Sequence, residues 1–143
     1  MKINYRCQIK KQDDGKFLIT FPDFSEAFTE GSTYEEAIFN AEEVLNLTLE
    51  GRMEEGISIP LPALDVDKKE EVLVFPSLRI QAALLVKFSR GDHTLADLAR
   101  SLETSWPSVA RLEDPQHWSS LKQLSKAATV MGQKLVLSFE KQH

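Results

Sequence analysis

The chain has one cysteine, Cys7, so no disulfide forms within it and the fold must be held by its core. A reducing, cytoplasmic setting is the expectation that follows. No apolar run approaches the ~18 residues needed to cross a bilayer. The opening MKINYRCQIK alternates in polarity where a signal peptide would show an apolar block. A membrane partner is therefore not expected. The three histidines, His93, His117 and His143, lack metal-ligand spacing. Neither a phosphate-cradling glycine loop nor a nucleophile elbow occurs. Asp13, Asp14, Asp23 and Glu26 lie near strand ends, where Asp is a turn former. None has an identifiable carboxylate on a neighbouring strand, as a metal nuclease would require. No enzyme activity and no cofactor are expected.

What is present is a globular composition: 143 residues, 42% apolar and 27% charged, enough for one ordinary domain or two small ones. The charge is unevenly spread. Residues 1–77 hold 8 Lys and Arg against 16 Asp and Glu, whereas residues 78–143 hold 9 against 6. An acidic half joined to a basic half suggests two partners of opposite charge, although charge alone favours the plainer reading of two solvated surfaces.

Period-two alternation marks the first strands. Ile3, Tyr5, Cys7 and Ile9 face one way and Lys2, Asn4, Arg6, Gln8 and Lys10 the other. The Asp14-Gly15 turn should join them as a hairpin to Phe17–Phe21, which Pro22 ends. A third strand is expected over Ala27–Glu30. The period then changes. Thr33 and Glu36 form a capping box, and Tyr34, Ile38, Ala41, Leu45 and Leu49 fall on one stripe of a long helix that Gly51 weakens and Gly56 ends. A proline-punctuated loop over 57–64 and a charged connector over 65–71 lead to a fourth strand, Val72–Phe75. The first domain, 1–76, thus reads β-β-β-α-β, with the helix on one sheet face. Its Pro22–Glu26 corner offers Asp23, Phe24 and Glu26 as a protein-binding hot spot. The competing reading makes Phe24 core and both acids turn formers.

The pieces FPDF, FTEGSTYEEAIFNAEEVL and EEGISIPLP, taken in order, resemble the N-terminal domain of HicB antitoxins. The likeness covers about the first half of the chain. It implies a partial ribonuclease H-like fold without that fold's active site, and a small basic messenger-RNA-cleaving toxin, HicA, as partner.

Pro76-Ser77 marks the expected boundary of a second domain, 77–143. Leu78–Arg90 is apolar on more than one face and ends at Gly91. Thr94 with Asp97 caps a helix over Leu95–Leu102, and Ser105 caps another over Trp106–Leu112. These are helix-turn-helix dimensions. A last helix opens at Ser119 or Ser120, runs through Leu121, Leu124, Ala128 and Met131, and closes at Gly132. KLVLSF, Lys134–Phe139, is expected as a terminal strand that pairs with its copy in a second chain.

The stretch TLADLARSLETSWPSVARLED resembles the Cro/CI-type repressor motif, and the later LKQLSKAATVMGQKLVLSF its closing helix. The resemblance implies that Ala99 packs the two helices and that Val109 and Leu112 face the core. Ser105, Trp106, Ser108 and Arg111 would face the major groove, with Arg100, Lys122 and Lys126 for phosphates. Two departures stand out. Glu103 occupies the turn position where that family has a positive-φ glycine, and Trp106-Pro107 replaces the polar pair that opens the recognition helix. The expectation is an α+β antitoxin that neutralises a HicA-like toxin and represses its own operon by binding operator DNA. It would act as a homodimer or a larger assembly such as a tetramer. A stand-alone transcriptional regulator whose first domain senses a small ligand is the alternative.

Overall fold

The computed structural model describes residues 1–64 and 71–141. The fold is α+β. In chain order the elements are β1 (Tyr5–Lys11), β2 (Phe17–Phe21), β3 (Phe24–Gly31), α1 (Tyr34–Glu55), β4 (Glu71–Val74), α2 (Leu78–Arg90), α3 (Leu95–Ser101), α4 (Trp106–Leu112) and α5 (Leu121–Val130). The strands form one antiparallel sheet in the order β3-β2-β1-β4. The chain divides into two compact units, one through Ser77 and one from Leu78 on.

Hairpin β1–β2 closes where the Asp-Gly signal puts it. Gly15 takes φ 87°, a conformation that favours glycine. The Asp14 carboxylate accepts the Lys16 N–H at 2.9 Å, and the Gln12 N–H reaches the Lys16 carbonyl at 2.7 Å. The next connection is tighter than expected. Pro22-Asp23 is a two-residue turn, Phe21 pairs directly with Phe24, and the irregularity is taken up between Thr20 and Phe21. The third strand therefore begins at Phe24, three residues before Ala27, because burial of the Phe24 ring draws it into the sheet. The fourth strand is shifted by one, Glu71–Val74 in place of Val72–Phe75, with Glu71 opposite Gln8. Connector residues 65–70 lie outside the described residues.

Helix α1 packs on β3 and β2, on the sheet face whose Tyr5, Cys7, Ile19, Phe21 and Ala27 are buried. Its own buried stripe is Ala37, Ala41, Leu45 and Leu49. Ala37 replaces Ile38 in that stripe, and Tyr34 sits at the rim with its ring edge-on to Phe17 at 6.1 Å. Close approach explains the change: a Cβ on Gly31 would lie 2.4 Å from the Ala37 backbone nitrogen. Leu45 and Leu49, fully buried, each contribute about 2–3 kcal/mol of apolar transfer.

Thr33 caps α1 by accepting the Glu36 N–H at 3.1 Å. The reciprocal bond differs from the expected box, because the Glu36 carboxylate takes the N–H of Ser32, at 3.4 Å. Gly51 stays helical, and Gly56 at φ 71° ends the helix. Beyond it the chain folds back over β1, with the Tyr5 hydroxyl donating to the Pro60 carbonyl at 2.8 Å and the Ala63 N–H to the Asn4 carbonyl at 3.1 Å. Asn46, halfway along α1, accepts the Ser77 N–H at 2.8 Å.

In the second unit Val86, Leu98, Ala99, Val109, Leu112 and Ala127 form the core, with Leu95, Leu102, Leu124 and Met131 around it. Helix α3 ends at Ser101, and α5 is capped by Ser120 and leaves Leu121 exposed. The expected terminal strand is not formed within the chain. Lys134–Phe139 has no regular structure, and Val136, Leu137 and Phe139 are exposed. The physical reason is that none of these residues finds a strand to pair with, and an unpaired strand has no stability of its own.

Candidate functional surfaces

The Pro22–Glu26 corner is built differently from an exposed hot spot. Phe24 is only 1% exposed, so its proposed role as a surface contact is corrected. Its ring meets Tyr5 edge-on at 5.0 Å, and the Arg52 guanidinium lies 4.8 Å above it. Asp23 is paired with Arg6 at 3.4 Å. Glu26 takes two hydrogen bonds from Arg52, both 2.7 Å. Those hydrogen bonds hold the Glu26 carboxyl down at about 2. Arg52 also donates to the Ser58 carbonyl at 2.9 Å. The corner thus ties strand, helix and following loop together. Its two carboxylates reach solvent but already have cations of their own.

A second acidic surface runs along α1. Phe39 and Leu47 are 65% and 68% exposed, with exposed Glu43 between them at i+4 and Glu50 and Glu54 continuing the same face. Neither residue belongs to the stripe that helical periodicity picks out. Their signal was available: Phe39 and Leu47 are apolar, eight residues apart, and off the buried stripe.

In the second unit, α3 and α4 are joined by residues 102–105. The Thr94 hydroxyl accepts the Asp97 N–H and the Asp97 carboxylate accepts the Thr94 N–H, each at 3.0 Å. The hydrogen bond from the Thr94 N–H, and then the Thr94 side chain, hold the Asp97 carboxyl below the usual carboxylate range. Glu103 takes φ 54° and, among the described residues, is the only non-glycine with positive φ. Ser105 accepts the Ser108 N–H at 3.4 Å, and the two hydroxyls lie 2.9 Å apart. Ala99, Val109 and Leu112 are buried, which turns the opposite side of α4 outward. There Trp106 is 55% exposed and Arg111 is exposed. Arg100 is exposed and paired with Asp97. Lys122 and Lys126 are exposed four residues apart on α5, and Lys126 shares a shallow depression with Ser101, Leu102 and Glu103. Arg90 of α2 binds Glu113, at the end of α4, through two hydrogen bonds of 2.6 and 2.9 Å, which fixes how α4 is presented.

Among the described residues no group of three or more His, Cys, Asp or Glu is placed to hold a metal. Cys7 is buried in the sheet face, and burial pushes its thiol up to about 12. Among the described residues no helix is long and apolar enough to cross a membrane.

Residues 4–84 match the family model described as the HicB_like antitoxin of bacterial toxin-antitoxin system. Antitoxin HicB 1 of Photorhabdus laumondii is 29% identical over 138 residues, covering 96% of this chain and 88% of that protein. Antitoxin HicB of Escherichia coli K12 is 26% identical over 136 residues, covering 94% and 98%. Among solved structures, the Burkholderia pseudomallei antitoxin HicB aligns with a TM-score of 0.47 at 16% identity, covering 76% of this chain and 90% of that one. The N-terminal domain of that antitoxin aligns at 0.46 and 24% identity, covering 53% and 100%. With more than half of its length matched by the family model, the chain belongs to the HicB-like antitoxin family of bacterial toxin–antitoxin systems.

Proposed function

We propose that the first unit binds and neutralises a basic, messenger-RNA-cleaving toxin of the HicA type, and that the second unit represses the chain's own operon by binding operator DNA. The observation that carries this reading is the extent of the match. The family model stops at residue 84, yet relatives named antitoxin HicB align along 94–96% of the chain, so both units have counterparts in those antitoxins. The first unit's acidity suits a partner that must itself be basic to hold RNA phosphates.

In the second unit α3 and α4 serve as a helix-turn-helix, with α4 as the reading helix. Support comes from the buried Ala99, Val109 and Leu112 on one side and from exposed Trp106 and Arg111 on the other. Arg100, Lys122 and Lys126 supply charge for the phosphates. Ser105 and Ser108 hold the start of α4, and a hydroxyl bonded at such a cap is left with less to offer a base. The chain works as a symmetric dimer, or as a larger assembly built from it, through residues 78–143. Lys134–Phe139 supplies the intermolecular strand.

The test uses the full-length chain, operator DNA and the purified toxin. Arg111→Ala should weaken operator binding by about 1–3 kcal/mol and leave toxin binding unchanged. Wild-type operator affinity should fall steeply with salt as condensed cations are released. Unchanged operator affinity in Arg111→Ala would remove α4 from the reading role.

A further inference from the structure

We infer that the toxin docks on the solvent face of α1, where Phe39 and Leu47 act as apolar anchors and Glu43, Glu50 and Glu54 meet its cationic RNA-binding face. The inference rests on the antitoxin reading above and names the surface that carries it out.

The face is not explained by the fold. Phe39 and Leu47 point away from the stripe that α1 buries, and two large side chains at this exposure add nothing to the core. The acids are harder still to explain by stability. Glu35 and Glu36 lie in the first turn, where a carboxylate favours the helix. Glu54 and Glu55 lie in the last turn, where a carboxylate opposes the helix dipole, and Glu50 stands just before it. Glu50 and Glu54 are also a like-charge pair at i,i+4, a spacing that destabilises a helix. Arg52 is the only cation on α1, and Glu26 of β3 holds it. Glu43, Glu50 and Glu54 have no ion pair among the described residues.

A helix keeps such a face when its countercharge arrives with a partner. A surface that grips RNA must present Lys and Arg, and apolar anchors ringed by matched charge give the central hot spot and polar rim of a specific interface. The open face of the sheet is a weaker candidate. It exposes Phe28 beside Thr20 and Gln8, but its carboxylates are not open to a partner: Glu71, opposite Gln8, is buried, and Glu30 is paired with Lys16. The Pro22–Glu26 corner is weaker again, since its carboxylates are already engaged.

Isothermal titration of the full-length chain with purified, catalytically disabled toxin tests this. Two variants remove the anchors (Phe39→Ser with Leu47→Ser) or reverse the charges (Glu43→Lys, Glu50→Lys and Glu54→Lys together). Each should weaken binding by roughly thirtyfold or more, whereas Phe28→Ser should bind as wild type does. The charge-reversed variant should melt no lower than wild type, because the like-charge pair at i,i+4 is exchanged and not added, while Glu54→Lys puts a cation in the last turn, where the helix dipole favours one. That separates a binding role from a structural one. Folded variants that bind as tightly as wild type would overturn the inference. So would loss of binding in Phe28→Ser, or a change of oligomeric state in the α1 variants with toxin affinity retained. Failure of the wild-type chain to bind the toxin at all would overturn the antitoxin reading, and this inference with it.

Discussion

Arg52 ties a strand, a helix and a loop of the first unit together. One guanidinium bonds Glu26 twice, bonds the Ser58 carbonyl and covers the Phe24 ring. Its effect on Glu26 can be read by titration. The Arg52 hydrogen bonds lower the Glu26 carboxyl from 4.5 to about 2. A carboxyl depressed on folding contributes stability that is fully present above its unfolded value and is lost as pH falls through the folded one. The window therefore runs from about pH 4.5 down to about pH 2. Thermal melts across that range should show Glu26→Gln losing less stability than wild type. The difference should be modest, because the Glu26 side chain is 47% exposed and solvent screens the pair. Parallel acid limbs for the two proteins would refute this role. None of this was legible beforehand: 26 residues separate Glu26 from Arg52, and no local pattern announces a partner that only the strand-to-helix packing brings near. Whether Phe24 lay inside or outside had the same difficulty, since an aromatic beside a turn fits either side until its neighbours are known.

At the scale of elements, local signals carried far. Alternation set the order β-β-β-α-β, and caps at Thr33, Thr94, Ser105 and Ser120 set the helix starts, because caps and periodicity are decided within a few residues. Glu103 was readable too, as a turn residue that would need positive φ. Boundaries slipped where packing overrode pattern, at Phe24, Ala37 and Glu71. The terminal segment is the instructive element. KLVLSF has strand composition, yet in the single chain it lies unpaired with Val136, Leu137 and Phe139 in solvent. If it pairs with its copy, light scattering at micromolar concentration should give a dimer. Leu137→Pro, which removes a ladder donor and bends the backbone away from a strand, should give a monomer whose helix content by circular dichroism is unchanged. A monomeric wild type would contradict the assignment, as would an intact Leu137→Pro dimer.

At the scale of the whole molecule, the proposed division of labour can be tested by cutting the chain between its two compact units. Residues 1–77 expressed alone should bind the toxin and rescue growth, while residues 78–143 alone should bind operator DNA and rescue nothing. A folded first fragment that fails to bind the toxin would place part of that interface beyond Ser77. The charge asymmetry was legible from composition, but its location on the surface was not. Counting charges cannot tell an acid held by Arg52 from one left open on α1. Helix α1 is itself held at both ends. Gly31 presses on its first turn and Asn40 bonds the Glu30 carbonyl at 2.8 Å, while Arg52 moors its last turn to β3 and to the loop beyond. A helix moored in this way has little freedom left to surrender when a partner arrives, so little of the interaction is spent on ordering it. Encounter then becomes a matter of steering, and the exposed acids set how fast a cationic partner arrives. Phe39 and Leu47 set how long it stays.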